Sequence, residues 1–293
     1  MTADIDARDG RLHRELSAFG VLVLTLSCLS PVFSIYGVGA DVLAHAGTGA
    51  AVLFLCGIGV AVVWALVYAE LGSAYPYAGG DYVGVGRILG PWAGFASLAA
   101  WAATAGPGTA LEAKIIAVNV GDLIGVSAPN LITYGSLLAA LAIAMLAVRA
   151  STFVTGLFLV VEMLAVVVLI GAGLWHPVRS LSSVLVHPMT LVGAGSLGAA
   201  SIGTLALGAI TATYATVGGN QAIGFGEELH QPHRNMGRVI VLACLIGAAA
   251  TAMPVIAVVL GAPNLVATLS SPAPFSAFVA SLLGPSAGRA LSA

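Results

Sequence analysis

Charge is what this sequence has least of. Only 8% of its 293 residues are Asp, Glu, Lys or Arg, where an ordinary soluble domain carries roughly a quarter. That scarcity excludes a water-soluble globular fold, whose surface it could not cover, and with it charge-driven disorder and a basic nucleic-acid-binding face. Neither sign dominates, since the formal net charge is −2. Cysteine is also sparse. Cys28, Cys56 and Cys244 each lie inside an apolar run without C-x-x-C spacing, which excludes a disulfide framework and a zinc site and leaves three small hydrophobes.

What is abundant is apolar length. Hydrophobic residues make up 59% of the chain and the mean hydropathy is +1.03, so the solvent is largely lipid. Residues 16–40 carry no charge at all, a stretch too long for a signal-peptide core and so read as a retained span. A helix needs about 20 apolar residues to cross a bilayer. Cutting the chain at polar and Pro/Gly clusters then predicts seven spans, at 16–42, 50–71, 91–121, 130–148, 151–175, 199–229 and 237–261. The expected fold class is an all-α, polytopic integral membrane protein.

Orientation follows from Lys and Arg, which are enriched in short cytoplasmic loops. An N-terminus inside places Arg8, Arg11, Arg14, Arg87, Arg149, Arg234 and Arg238 in the cytoplasm and leaves only Arg179 and Arg289 outside. The N-terminus is therefore expected to be cytoplasmic, and Lys114 to snorkel from the third span. Residues 75–90, YPYAGGDYVGVGRILG, are too polar to span and are expected to form a short amphipathic helix at the inner face. The Pro- and Ser-rich tail from 263 to 293 is expected outside, with 274–283 as a short surface or re-entrant helix.

Two spans are interrupted. The first carries Ser30, Pro31, Val32, Phe33 and Ser34 at its middle, and Pro31 removes one helical hydrogen bond. In the sixth, TYATVGGNQAIGFG, the run is broken at Gly218, Gly219, Asn220 and Gln221. In hydrocarbon an unpaired backbone group costs several kcal/mol, so such breaks persist where they line a cavity or find partners. Interrupted segments in corresponding positions of two halves point to a transporter binding site. Here they lie five helices apart, which suggests two five-helix repeats of opposite orientation. A proline kink and a glycine-packed crossing without ligand is the alternative.

Glu162 sits about 11 residues into the fifth span, roughly 16 Å deep at 1.5 Å per residue. A charged residue there costs about 2.5–3.5 kcal/mol, so it is expected to be protonated, paired or facing a polar cavity. Such a group suits a proton-coupled carrier; the alternative is a neutral Glu bonded to a neighbouring helix. Glu70, Asp81, Glu227 and Glu228 lie at cytoplasmic helix ends and are expected to pair with Arg87, Arg234 or Arg238. No nucleophile elbow or Walker loop is present, and His230 and His233 lack a third ligand, so neither enzyme chemistry, a metal nor a cofactor is expected.

The stretch YAELGSAYPYAGGDYVGVGRILGPWAGF at 68–95 strongly resembles the end of the second span and following loop of amino acid permeases of the amino acid, polyamine and organocation superfamily. A second block, GFGEELHQPHRNMGR at 224–238, is similar to the family's acidic pair, proline and arginine, here Glu227, Glu228, Pro232 and Arg234. The resemblance implies a leucine-transporter-like inverted-repeat fold and transport of an amino acid or related amine by alternating access, coupled to a proton or cation. It places the substrate at Ser30, Pro31, Val32, Phe33 and Ser34 and at Tyr214, Thr216, Gly218, Gly219 and Asn220.

The chain departs from the family at three points. Relatives have a Gly-rich first break, whereas Pro31 supplies no N–H and the Ser30 or Ser34 hydroxyl would substitute. Thr216 stands where an aromatic gate is usual, and Glu162 where many relatives carry a lysine. Relatives have about twelve spans, so the chain is expected to be C-terminally truncated. It then divides into a cytoplasmic segment at 1–15, a first five-helix repeat at 16–175 and an incomplete second repeat at 176–293. The implied setting is the cell membrane, with a small-molecule substrate and no nucleic acid. The alternative function is a non-transporting scaffold, or a half-carrier whose partner polypeptide supplies the missing helices.

Overall fold

In the computed structural model the described residues are 16–77, 79–124, 128–145, 148–175, 177–192 and 195–292. The readings placed on Arg8, Arg11 and Arg14 and on the side chains of Arg149 and Arg289 lie outside them. The chain is helical almost throughout. Helix α1 (Ala18–Leu29) starts at Ser17, whose hydroxyl accepts the Gly20 amide at 3.1 Å, the usual device for satisfying a free first-turn N–H. A short α2 (Pro31–Phe33), a π-helical turn (Ser34–Gly39) and α3 (Ala40–Ala46) continue the first span past the expected residue 42.

Next come α4 (Gly49–Ala74), α5 (Asp81–Leu89), α6 (Pro91–Ile124), α7 (Pro129–Ala144) and α8 (Val148–Trp175). The short α9 (Leu181–Val186) leads into a hairpin of β1 (Met189–Val192) and β2 (Ser196–Ala199), paired antiparallel with Met189 opposite Ala199. Then follow α10 (Ile202–Thr216), a 3-10 turn (Gly219–Phe225), α11 (Pro232–Gly261), α12 (Leu265–Leu269), α13 (Pro274–Leu283) and α14 (Pro285–Ser292).

Among the described residues five helical stretches are long and apolar enough to cross a membrane: Ala18–Ala46, Gly49–Ala74, Phe153–Trp175, Ile202–Phe225 and Pro232–Gly261. They are the first, second, fifth, sixth and seventh expected spans. Helix α6 has the length, at 34 residues, while α7 is an apolar helix of 16. The amphipathic helix expected between 75 and 90 is α5.

The hairpin was not foreseen. It is tied to the start of α4: the Thr48 hydroxyl accepts the Met189 amide at 2.7 Å, and the Thr48 amide donates to the Met189 carbonyl at 2.8 Å. Beside it Arg179 donates from Nη1 to the Ala262 carbonyl at 2.7 Å and the Val259 carbonyl at 3.3 Å, satisfying the open carbonyls at the end of α11. Burial lowers the guanidinium's affinity for its proton.

Two buried clusters flank the level of the breaks. One holds Val42, Phe54, Leu169, Val255 and Phe278, on the hairpin side. The other holds Val21, Ala65, Ile223, Met236 and Ile240, on the α5 side. Helix α11 runs through both, and its Gly247 meets the Leu29 side chain between them. On the hairpin side α8 and α11 cross so closely that a Cβ on Gly173 would strike the Ala257 carbonyl. Small residues allow this approach, which is how helices pack in lipid.

The short helix expected at 274–283 is present as α13, but its placement at the surface needs correction. Residues 265–292 are three helices, and Phe275 and Phe278 of α13 are fully buried in the larger cluster. Phe275 stacks obliquely on Tyr36, their ring centroids 5.5 Å apart. Proline and serine marked the ends of these helices, and the apolar faces between them are part of the core.

Candidate functional site

The first break is built at Ser30. Its backbone is left-handed at φ 38°, a conformation rare outside glycine, and it separates α1 from α2. Pro31 then lacks the N–H that would have continued the helix. The Leu29 carbonyl freed by this turn accepts the Ser34 hydroxyl at 3.3 Å. Ser34 is buried and its hydroxyl thus repairs the break from within.

The Ser30 hydroxyl points the other way. It donates to Glu162 Oε1 of α8 at 3.3 Å, and the Val32 amide also faces this carboxylate. The second oxygen, Oε2, is buried and makes no hydrogen bond of ordinary geometry, the one such side-chain atom among the described residues. A buried polar atom left unpaired in lipid is costly, and such an atom calls for a functional explanation.

The second break is at Gly218, whose φ of 142° is open to glycine and strained for other residues. The Leu29 side chain packs directly on it, so the two breaks are neighbours. Gly219 is buried against the Cys244 thiol and the Ile240 carbonyl of α11. The structure therefore brings together Ser30, Pro31, Ser34, Glu162, Gly218 and Gly219.

Three expected residues are placed differently. Tyr214 is 70% exposed on the outer face of α10. Thr216 is buried against Gly57 of α4, and its hydroxyl donates back to the Thr213 carbonyl at 3.0 Å and the Ala212 carbonyl at 3.2 Å. Asn220 belongs to a second polar cluster. Its Nδ2 donates to Asp81 Oδ2 at 2.8 Å, its Oδ1 accepts the Trp64 indole N–H at 3.2 Å, and Tyr68 also bonds Asp81.

This cluster corrects the pairing expected of Asp81 with an arginine. Asp81 and Arg87 lie six residues apart on α5, about 240° round the helix, so they cannot meet. Arg87 instead sits over the Tyr77 ring, 4.3 Å from its centroid. An exposed ion pair joins His45 and Asp41 at 3.3 Å. Asp81 lies outside the spans, and burial pushes its carboxyl above the ordinary 3.8 while the bonds from Asn220 and Tyr68 pull it back. The i, i+4 spacing of Trp64 and Tyr68 was the available signal, since it puts both rings on one face of α4. His233, considered above beside His230, bonds through Nδ1 to the Ser73 carbonyl at 2.8 Å.

Membrane-length helices, two of them unwound at adjoining points and the first break facing a carboxylate, make this a multi-pass membrane protein. The family model described as amino acid permease matches residues 16–293. The chain belongs to that family, which is one of transporters for amino acids and not of enzymes. Among curated proteins none matches it.

Proposed function

We propose that the chain carries an amino acid or related amine across the cell membrane by alternating access, with Glu162 as the group that couples transport to a proton or cation. The carrying observation is Glu162 Oε2, buried and unpaired beside the Ser30 break. A carboxylate so placed can take a proton or cation, and the Ser30 hydroxyl reports its state directly to the backbone of the first break. The substrate would lie between this break and Gly218, with the N-terminus and the α5 end of the bundle facing the cytoplasm.

Breaks at Ser30 and Gly218 supply what a site in lipid needs, namely backbone amides and carbonyls released from helical bonds. Asn220 would join the site only in a state where its two present bonds have parted. The test is uptake of a mixture of radiolabelled amino acids into proteoliposomes under an imposed pH gradient, with Glu162→Gln alongside. Gradient-driven uptake that Glu162→Gln abolishes is the expected result. Uptake with the same pH dependence in the variant would remove the coupling role, and no uptake of any amino acid or amine would remove the carrier reading.

A further inference from the structure

We infer that Asp81 is a positioning residue for transport: by accepting the Asn220 amide it ties α5 to the unwound stretch after Gly218 and holds that end of the bundle shut. The bond joins two elements that rest mainly on different neighbours. Helix α5 rests on α6, where Gly94 lies so near Gly86 that a Cβ on it would be 2.8 Å from the Gly86 Cα. Asn220 sits in the 3-10 turn, and Trp64 and Tyr68 on α4.

The chemistry leaves the amide one orientation. An ionised carboxylate only accepts and an indole N–H only donates, so Nδ2 must face Asp81 and Oδ1 must face Trp64. Asn220 is thereby held at both ends, and so is the backbone that follows Gly218 and Gly219. Behind that backbone lies the buried Cys244 thiol, in contact with Gly219. Any opening that draws the 3-10 turn away from α11 uncovers Cys244.

The inference rests on the carrier reading in one respect, that the α5 end opens during a cycle; its test needs no substrate. In the full chain reconstituted in liposomes, with the exposed Cys28 and Cys56 replaced by alanine, the rate of N-ethylmaleimide labelling at Cys244 reports that opening. Asp81→Ala and Asn220→Ala should each speed labelling about tenfold, the effect of losing one charge-assisted hydrogen bond. The double variant should fall short of the product of the two single effects, because both remove the Asp81–Asn220 tie, while each alone also loses one bond of its own, from Tyr68 or from Trp64. Asp81→Asn, whose Oδ1 still accepts from Asn220 but without the charge, should label at a rate between the parent and Asp81→Ala.

Labelling of Asp81→Ala at the parental rate would overturn the inference. So would multiplicative rates in the double variant, or Asp81→Asn labelling as fast as Asp81→Ala. Thermal midpoints separate opening from unfolding, and if Asp81→Ala does not fold, Asn220→Ala tests the same bond from its other side. Uptake can fail while the labelling pattern stands, and the pattern can fail while uptake stands, so the two readings fall separately.

Discussion

The Ser30 hydroxyl reaches Glu162 Oε1 across 3.3 Å, joining the break of the first span to the middle of the fifth over 132 residues of sequence. Each residue answers a need of the other. Ser30 holds a strained backbone that wants an anchor, and Glu162 holds a buried carboxylate that wants a donor.

That pairing makes the two substitutions non-additive. Ser30→Ala leaves both carboxylate oxygens of Glu162 without a side-chain donor and should destabilise the protein by about 1–3 kcal/mol. In a Glu162→Gln background the same change should cost less, with a coupling of about 0.5–3 kcal/mol. Thermal unfolding of the four proteins in detergent measures it. Equal costs in both backgrounds would show that the 3.3 Å contact carries no energy.

Gly218 should be intolerant of any side chain. Gly218→Ala forces a Cβ into φ 142° and against the Leu29 side chain, for which the backbone strain alone is of order 1–3 kcal/mol. Gly224, in the same 3-10 turn, has no atom near the place a Cβ would occupy. Gly224→Ala should therefore stay close to the parent in thermal midpoint while Gly218→Ala falls well below it.

Asp81 gives a pH dependence whose sign can be worked out. Burial raises its folded-state value above the ordinary 3.8, so the folded protein holds this proton more tightly than the unfolded chain does. The stability it contributes is complete below the unfolded value and is lost as pH rises through the folded one. Between about pH 4 and about pH 7 the parent should lose more thermal stability than Asp81→Asn, which stays neutral throughout. Parallel curves for the two proteins would mean that the carboxyl titrates at its ordinary place.

What could be read in advance was what composition and backbone chemistry dictate locally. Pro31 and the Gly218–Gly219 pair announce breaks because neither belongs inside a helix, and Glu162 stands out because a carboxylate in an apolar run is expensive. Side-chain direction was not legible. Helix α10 is apolar nearly all round, so no periodicity says that Tyr214 faces outward while Thr216 turns in towards Gly57. The Asp81 partner was equally hidden, since Asn220 lies 139 residues away and the nearer Arg87 offered an easier pairing. Only the helical phase of α5 rules that pairing out.

The last helices provide the sharpest separation between a trailing tail and a working part of the core. If residues after 263 merely followed the bundle, truncating a side chain there would cost almost nothing. Phe275 is instead fully buried, stacked on Tyr36 and close to Gly39 at the far end of the π-helical turn. That turn begins at Ser34, whose hydroxyl repairs the first break, so α13 supports the site through one continuous stretch of backbone. Phe275→Ala should cost about 3–5 kcal/mol, the usual price of emptying an aromatic site in a packed interior. It should also loosen the turn itself, seen as faster hydrogen exchange at the amides of residues 34–40. Exposed Leu283, on the same helix, serves as the control, because Leu283→Ala removes a side chain that the core does not hold. A Phe275→Ala protein that melts with the parent would return these helices to the role of a passive tail.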